Sequence, residues 1–164
     1  MMAKSELIML TNKTLLIVAH VPSVNTKCLA KLAQQAVTPE LIDNVSVVLK
    51  TPLATTVDDV LQADAIIIGT TENFGYMAGL TKDFFERIFY PVLDLKQGLP
   101  VACYIRAGLD GTGTQCAIES IITGLRWRWV QQPLVLKGEW KDGFETQVNE
   151  LVLTVAAGLS IGSL

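Results

Sequence analysis

The chain has 164 residues, half of them apolar and 18% charged, with a formal net charge of −3 and a pI near 5.1. That length suits one domain spanning residues 1–164, because a chain of roughly 150 residues buries about 70% of its surface on folding. The charge balance argues against a nucleic-acid partner: the strongest basic cluster, Arg126-Trp127-Arg128-Trp129, falls short of the broad cationic field that a polyanion needs.

Cys28, Cys103 and Cys116 lack CxxC spacing, and His20 is the single histidine, so no metal cluster is expected. The unpaired cysteines suit a reducing cytoplasm, each as a small buried apolar residue. Met1–Thr14 is mixed polar and lacks the apolar core and cleavage site of a leader. No apolar run approaches the ~18 to 20 residues of a membrane span; the apolar tail Leu151–Leu164 reads as a core helix.

In chain order, Thr14–Ala19 is a continuous apolar run, as in a strand buried on both faces of a parallel sheet. Pro22 stops it. Ser23, Asn25 and Thr26 then precede a helix with Leu29, Leu32, Ala33 and Ala36 on its apolar face. Val45–Leu49 is a second strand, and Thr55 or Thr56 with Asp58 and Asp59 opens a short helix to Ala63. Ala65–Gly69 is a third strand, breaking at Gly69 into a polar and aromatic loop. The next helix starts near Met77, carries Leu80, Phe84, Ile88 and Phe89, and ends at Pro91. Leu99–Ile105 forms the fourth strand. The segment Arg106–Gly113 leads into a helix through Ala117, Ile118, Ile121, Ile122 and Leu125. Pro133–Leu136 is a fifth strand, and Asp142 caps a last helix with Phe144, Val148, Leu151, Val152, Val155 and Leu159 on one face.

Five strands alternating with five helices predict an α/β fold with a five-stranded parallel sheet covered by helices on both faces. Wound in the order 2-1-3-4-5, such a sheet puts strands 1, 3 and 4 side by side, with ligands beyond their carboxyl ends. The three unusual loops follow those three strands. In the first, Ser23, Asn25 and Thr26 at a helix start can bind a phosphate, or serve only as an N-cap. Gly-x-Gly-x-x-Gly and Gly-Lys-Ser/Thr loops are both missing. In the second, residues 70–77 offer amides with Phe74 and Tyr76 to a flat heterocycle; the alternative turns Phe74 inward as core and leaves Tyr76 on the surface. In the third, Arg106 and the glycines at 108, 111 and 113 form a flexible platform or a plain turn. His20 is expected to pack at its strand end, the tryptophans to lie in the core or an interface, and Glu72, Asp83 and Glu86 to be solvated or paired. No acid–base or nucleophilic catalytic residue is expected.

The stretch Glu72–Arg87, together with Ala107–Gly113 and Thr123-Gly-Leu125, resembles small flavodoxin-like FMN-binding proteins, including NAD(P)H-dependent FMN or quinone reductases. The resemblance runs from Thr14 to Leu164 and implies a flavodoxin-like three-layer sandwich holding FMN noncovalently. It implies phosphate binding by Ser23, Asn25 and Thr26. The ribityl chain and isoalloxazine would be lined by Thr70, Thr71, Asn73, Phe74, Gly75, Tyr76 and Met77, and Arg106, Gly108, Gly111 and Thr112 would close the other side. Val24 stands where flavodoxins usually have glycine, and Thr71 where related reductases often have proline. The leading expectation is an NAD(P)H-dependent oxidoreductase passing electrons through FMN to a quinone, flavin or other acceptor. Arg106 supports it, since a cation near the ring favours the two-electron reduced state. The alternatives are a flavodoxin-type carrier serving a redox partner protein, and an FMN-free interaction protein. Apolar helices and three tryptophans are compatible with a homodimer.

Overall fold

The computed structural model describes residues 11–164, so the leader reading at Met1–Thr14 lies, for residues 1–10, outside the described residues. Strand β1 (Lys13–Ala19) leads to helix α1 (Val24–Gln35), followed by β2 (Val45–Lys50), α2 (Val57–Gln62) and β3 (Ala65–Asn73). Next come β4 (Tyr76–Met77), α3 (Gly79–Leu93), β5 (Pro100–Ala107), α4 (Thr112–Leu125), β6 (Arg128–Trp129), β7 (Leu134–Lys137) and α5 (Gly143–Ser160). The sheet runs β2-β1-β3-β5-β6, with β7 also beside β5 and β4 hanging on β3. All pairs are parallel except β3–β4. This is the expected order, with its fifth strand split into β6 and β7. Pro133, just before β7, has no N–H to give to a ladder.

Alternation of side chains across the sheet divides the core into two layers. Leu15, Ile17, Ala65, Ile67 and Ala102 face α1 and α5. Leu16, Val18, Ile66, Ile68, Val101 and Cys103 face the layer that contains Phe84, Phe85, Ile118 and Ile122 of α3 and α4. Both faces are covered, which is why the strands read as unbroken apolar runs.

Several boundaries differ from the sequence expectation. Strand β3 runs through Gly69 to Asn73, and α3 starts at Gly79 because Met77 belongs to β4. Gly69 is not a breaker: a Cβ there would overlap the Tyr104 ring, which lies across β3 at this point. Pro91 lies inside α3, in its last turn, where it removes one backbone bond without stopping the two residues that follow. Asp142 makes no capping bond, since its backbone is already helical (φ −59°, ψ −30°) and a cap requires extended geometry to reach back. Among the cysteines only Cys103 is buried; Cys28 is half-buried and Cys116 exposed. No helix among the described residues is long and apolar enough to cross a membrane.

Candidate functional site

The loops after β1, β3 and β5 meet along one edge because those strands are neighbours in the sheet. His20 N donates to Gly69 O at 2.9 Å, tying the first loop to β3. Ser23 and Thr26 then form a reciprocal capping box. Thr26 N donates to Ser23 Oγ at 3.2 Å, Ser23 N donates to Thr26 Oγ1 at 2.9 Å, and the two hydroxyls lie 3.0 Å apart. Thr26 is buried, while Ser23, Val24 and Asn25 are exposed. The amides of Val24 and Asn25 open α1, where the helix supplies no acceptor, and so face outward as a small electropositive end. The cap and the phosphate reading therefore divide the segment: the hydroxyls make the cap, and the amides remain free. His20 sits half-buried nearby, and burial lowers its pKa, keeping the imidazole neutral near pH 7.

The second loop is a tight hairpin. Glu72 faces Met77 and Asn73 faces Tyr76 across the β3–β4 ladder, leaving Phe74 and Gly75 as the turn. Both have positive φ, +54° and +72°, as a type I′ turn requires. Asparagine is the usual residue where Phe74 stands. Its ring is fully exposed, against the alternative that turned it inward as core, because a side chain at the hairpin tip has no layer to enter. Tyr76 is exposed beside it, and Thr71 Oγ1 donates to Asn73 Oδ1 at 2.8 Å below the turn. Thr70, Thr71 and Met77 are buried instead. Thr70 shares a 2.8 Å hydroxyl bond with Thr81 of α3, and Met77 joins the core beneath α3 and α4.

The third loop is strapped to the hairpin by a contact that periodicity and motif spacing do not reveal. Glu72 Oε1 accepts from Leu109 N at 3.0 Å, and Oε2 accepts from Gly111 N at 2.8 Å. Gly113 completes the junction, since a Cβ there would overlap the carbonyl oxygen of Gly75. Gly111 has φ +70° and packs on Val135, while Gly108 and Thr112 are exposed. Thr112 N donates to Asp110 at 3.0 Å, which holds that carboxyl below its ordinary pKa.

Arg106 points away from the hairpin. Its guanidinium donates to the carbonyls of Ala107 (2.9 Å), Leu136 (3.0 Å) and Gly138, and lies 5.0 Å from the Phe144 ring centroid. It joins β5 to β7 and α5, and its charge is already engaged by three carbonyl oxygens. Among the described residues no group of three His, Cys, Asp or Glu side chains could hold a metal. The outward-facing groups of the edge are thus the α1 amides and the hairpin rings, and this set suits a ligand with an anionic end and a flat end.

No protein-family model and no curated relative matches the sequence. Solved structures do. An archaeal flavodoxin superimposes with a TM-score of 0.74 at 18% identity, covering 89% of this chain and 98% of that one. Two-electron-reduced flavodoxin from Megasphaera elsdenii gives 0.72 at 20% identity, covering 87% and 98%. Rubredoxin:oxygen oxidoreductase from Desulfovibrio gigas gives 0.71 at 16% identity, with 92% of this chain matched to 37% of that larger protein. The chain has a flavodoxin-like fold.

Proposed function

We propose that the chain binds FMN noncovalently beyond the carboxyl ends of β1, β3 and β5 and works as an electron-transfer flavoprotein. The observation that carries this reading is Phe74, a residue with positive φ whose ring is fully exposed at the hairpin tip. Such a backbone costs about 1–2 kcal/mol for a non-glycine residue, and the exposed ring recovers nothing from burial. A flat ligand lying against it would bury the ring that the turn already holds in place.

The Val24 and Asn25 amides would hold the phosphate, with Ser23 and Thr26 keeping them in place through the capping box. Phe74, Tyr76 and the backbone of residues 73–76 would line the isoalloxazine, and Gly108 to Thr112 would close the other side. FMN, when bound, supplies the redox chemistry; this chain's residues bind it, orient it and set the charge around it.

The surrounding charge favours a carrier serving a redox partner over an NAD(P)H-dependent reductase. The cation expected beside the ring, Arg106, is occupied by carbonyls, whereas Glu72 and Asp110 place two carboxylates in the loops of the site. Negative surroundings disfavour adding negative charge to a bound ring. The likeness of residues 69–87 to reductases supports the other reading. Absorbance during FMN addition, followed by desalting, tests the cofactor; steady-state oxidation of NADH and NADPH with a quinone tests the reductase. Retained flavin bands without NAD(P)H turnover are expected. Turnover would make the protein a reductase, and failure to retain FMN would leave the interaction-protein reading.

A further inference from the structure

Glu72 is half-buried between two loops, yet it enters none of the ion pairs formed among the described residues. Each oxygen of its carboxylate instead accepts one backbone amide of the loop after β5, at 3.0 and 2.8 Å. Bonds from amides to an ionised carboxylate are stronger than neutral ones, and a bidentate pair also fixes orientation. The strained turn begins two residues later, at Phe74, and the Gly113–Gly75 contact abuts the same hairpin. Glu72 is thus the side-chain link from the hairpin to the platform loop, and it stands at the junction with no ion-pair partner among the described residues.

We propose that Glu72 is a positioning residue that locks the 108–111 loop to the hairpin and holds a fixed negative charge beside the flavin, an assignment that rests on the FMN reading above. The lock sets the spacing between the two loops before any ligand arrives. The charge lowers the potential at which a bound flavin accepts electrons. Gln at this position keeps the shape but offers one acceptor and no charge, so one of the two amides faces an NH2 group.

The test measures amide hydrogen exchange at Leu109 and Gly111 by NMR in the FMN-free protein, for wild type, Glu72→Gln and Glu72→Ala. The FMN midpoint potential is then measured for wild type and Glu72→Gln. Protection should fall about tenfold at both amides in Glu72→Ala, the equivalent of one lost hydrogen bond each, and at only one of them in Glu72→Gln. The Glu72→Gln potential should move positive, a change that a purely structural role would not produce. Unchanged exchange in Glu72→Ala overturns the lock, whether or not FMN binds. An unmoved potential in Glu72→Gln overturns the electrostatic role. A wild type that retains no FMN also overturns that role, together with the cofactor reading, while the exchange data still decide the lock.

Discussion

The start of α1 and the β3–β4 hairpin both border the candidate site, but they are held in opposite ways. The bonds between Ser23 and Thr26 span three residues, so beyond the tie at His20 the helix start builds its shape from its own sequence. The hairpin is shaped from outside. Glu72 reaches 37 and 39 residues along the chain, and Gly75 rests against Gly113. A locally capped helix end is inexpensive to maintain and offers generic anion binding. A turn with a strained aromatic depends on tertiary contacts to keep it in place, and that is the arrangement expected where binding specificity resides.

Changes at the outside contacts should have the largest effect. Gly113→Ala pushes a methyl group into the Gly75 carbonyl and should destabilise the protein by about 1–3 kcal/mol, an overpacking cost. Denaturant unfolding measures the loss, and NMR shift changes should concentrate at residues 73–77 and leave 23–26 unmoved. Equal disturbance of both loops would erase the distinction between them.

Thr26→Val removes one side of the capping box and should cost about 0.5–2 kcal/mol of stability. On the FMN proposal it should also weaken FMN binding by about 1–3 kcal/mol, because the proposed phosphate loop loses its hydrogen-bonded frame. Chemical denaturation and flavin fluorescence titration read the two effects. An unchanged FMN dissociation constant would remove Thr26 from the site.

Phe74→Gly should act with opposite signs on stability and binding. Relief of the left-handed backbone raises stability by about 0.5–1 kcal/mol, while loss of the ring weakens FMN binding. A thermal shift in the free protein and an FMN titration test both; a variant that is both stabler and an equally good binder would leave the exposed ring without a role.

The smallest effect concerns pH. Burial lowers the His20 pKa from its ordinary 6.5, so as pH falls the unfolded chain takes up the proton first. The stability from neutral His20 is fully present above that ordinary value. It declines below it until the folded imidazole also protonates. His20→Asn should flatten the dependence of Tm on pH between about pH 7 and 5; an equal slope in the variant would assign the dependence to other groups.

Much of the fold was legible because parallel strands buried on both faces need unbroken apolar runs, and β1, β3 and β5 carry them. The capping box was legible because its residues are neighbours in the chain. Asp142 and Pro91 misled, since a capping residue acts only with extended backbone, and a proline near a helix end removes only one bond. The alternative of an inward Phe74 fails as well, because apolar character marks a core candidate only where the backbone aims the side chain at a layer.

By itself, then, the sequence determined the alternation of strands and helices, their order in the sheet and the edge where three loops gather. The alternation follows from periodicity and short-range capping, which neighbouring residues encode; the order and the shared edge were implied by the likeness to flavodoxin-like proteins and are seen in the sheet. Only the tertiary structure decided that Arg106 turns to the carbonyls of Leu136 and Gly138, that Glu72 holds two loops together, and that Gly69 makes room for Tyr104. Each depends on groups 30 or more residues apart, and no local pattern records which of them a long side chain will meet.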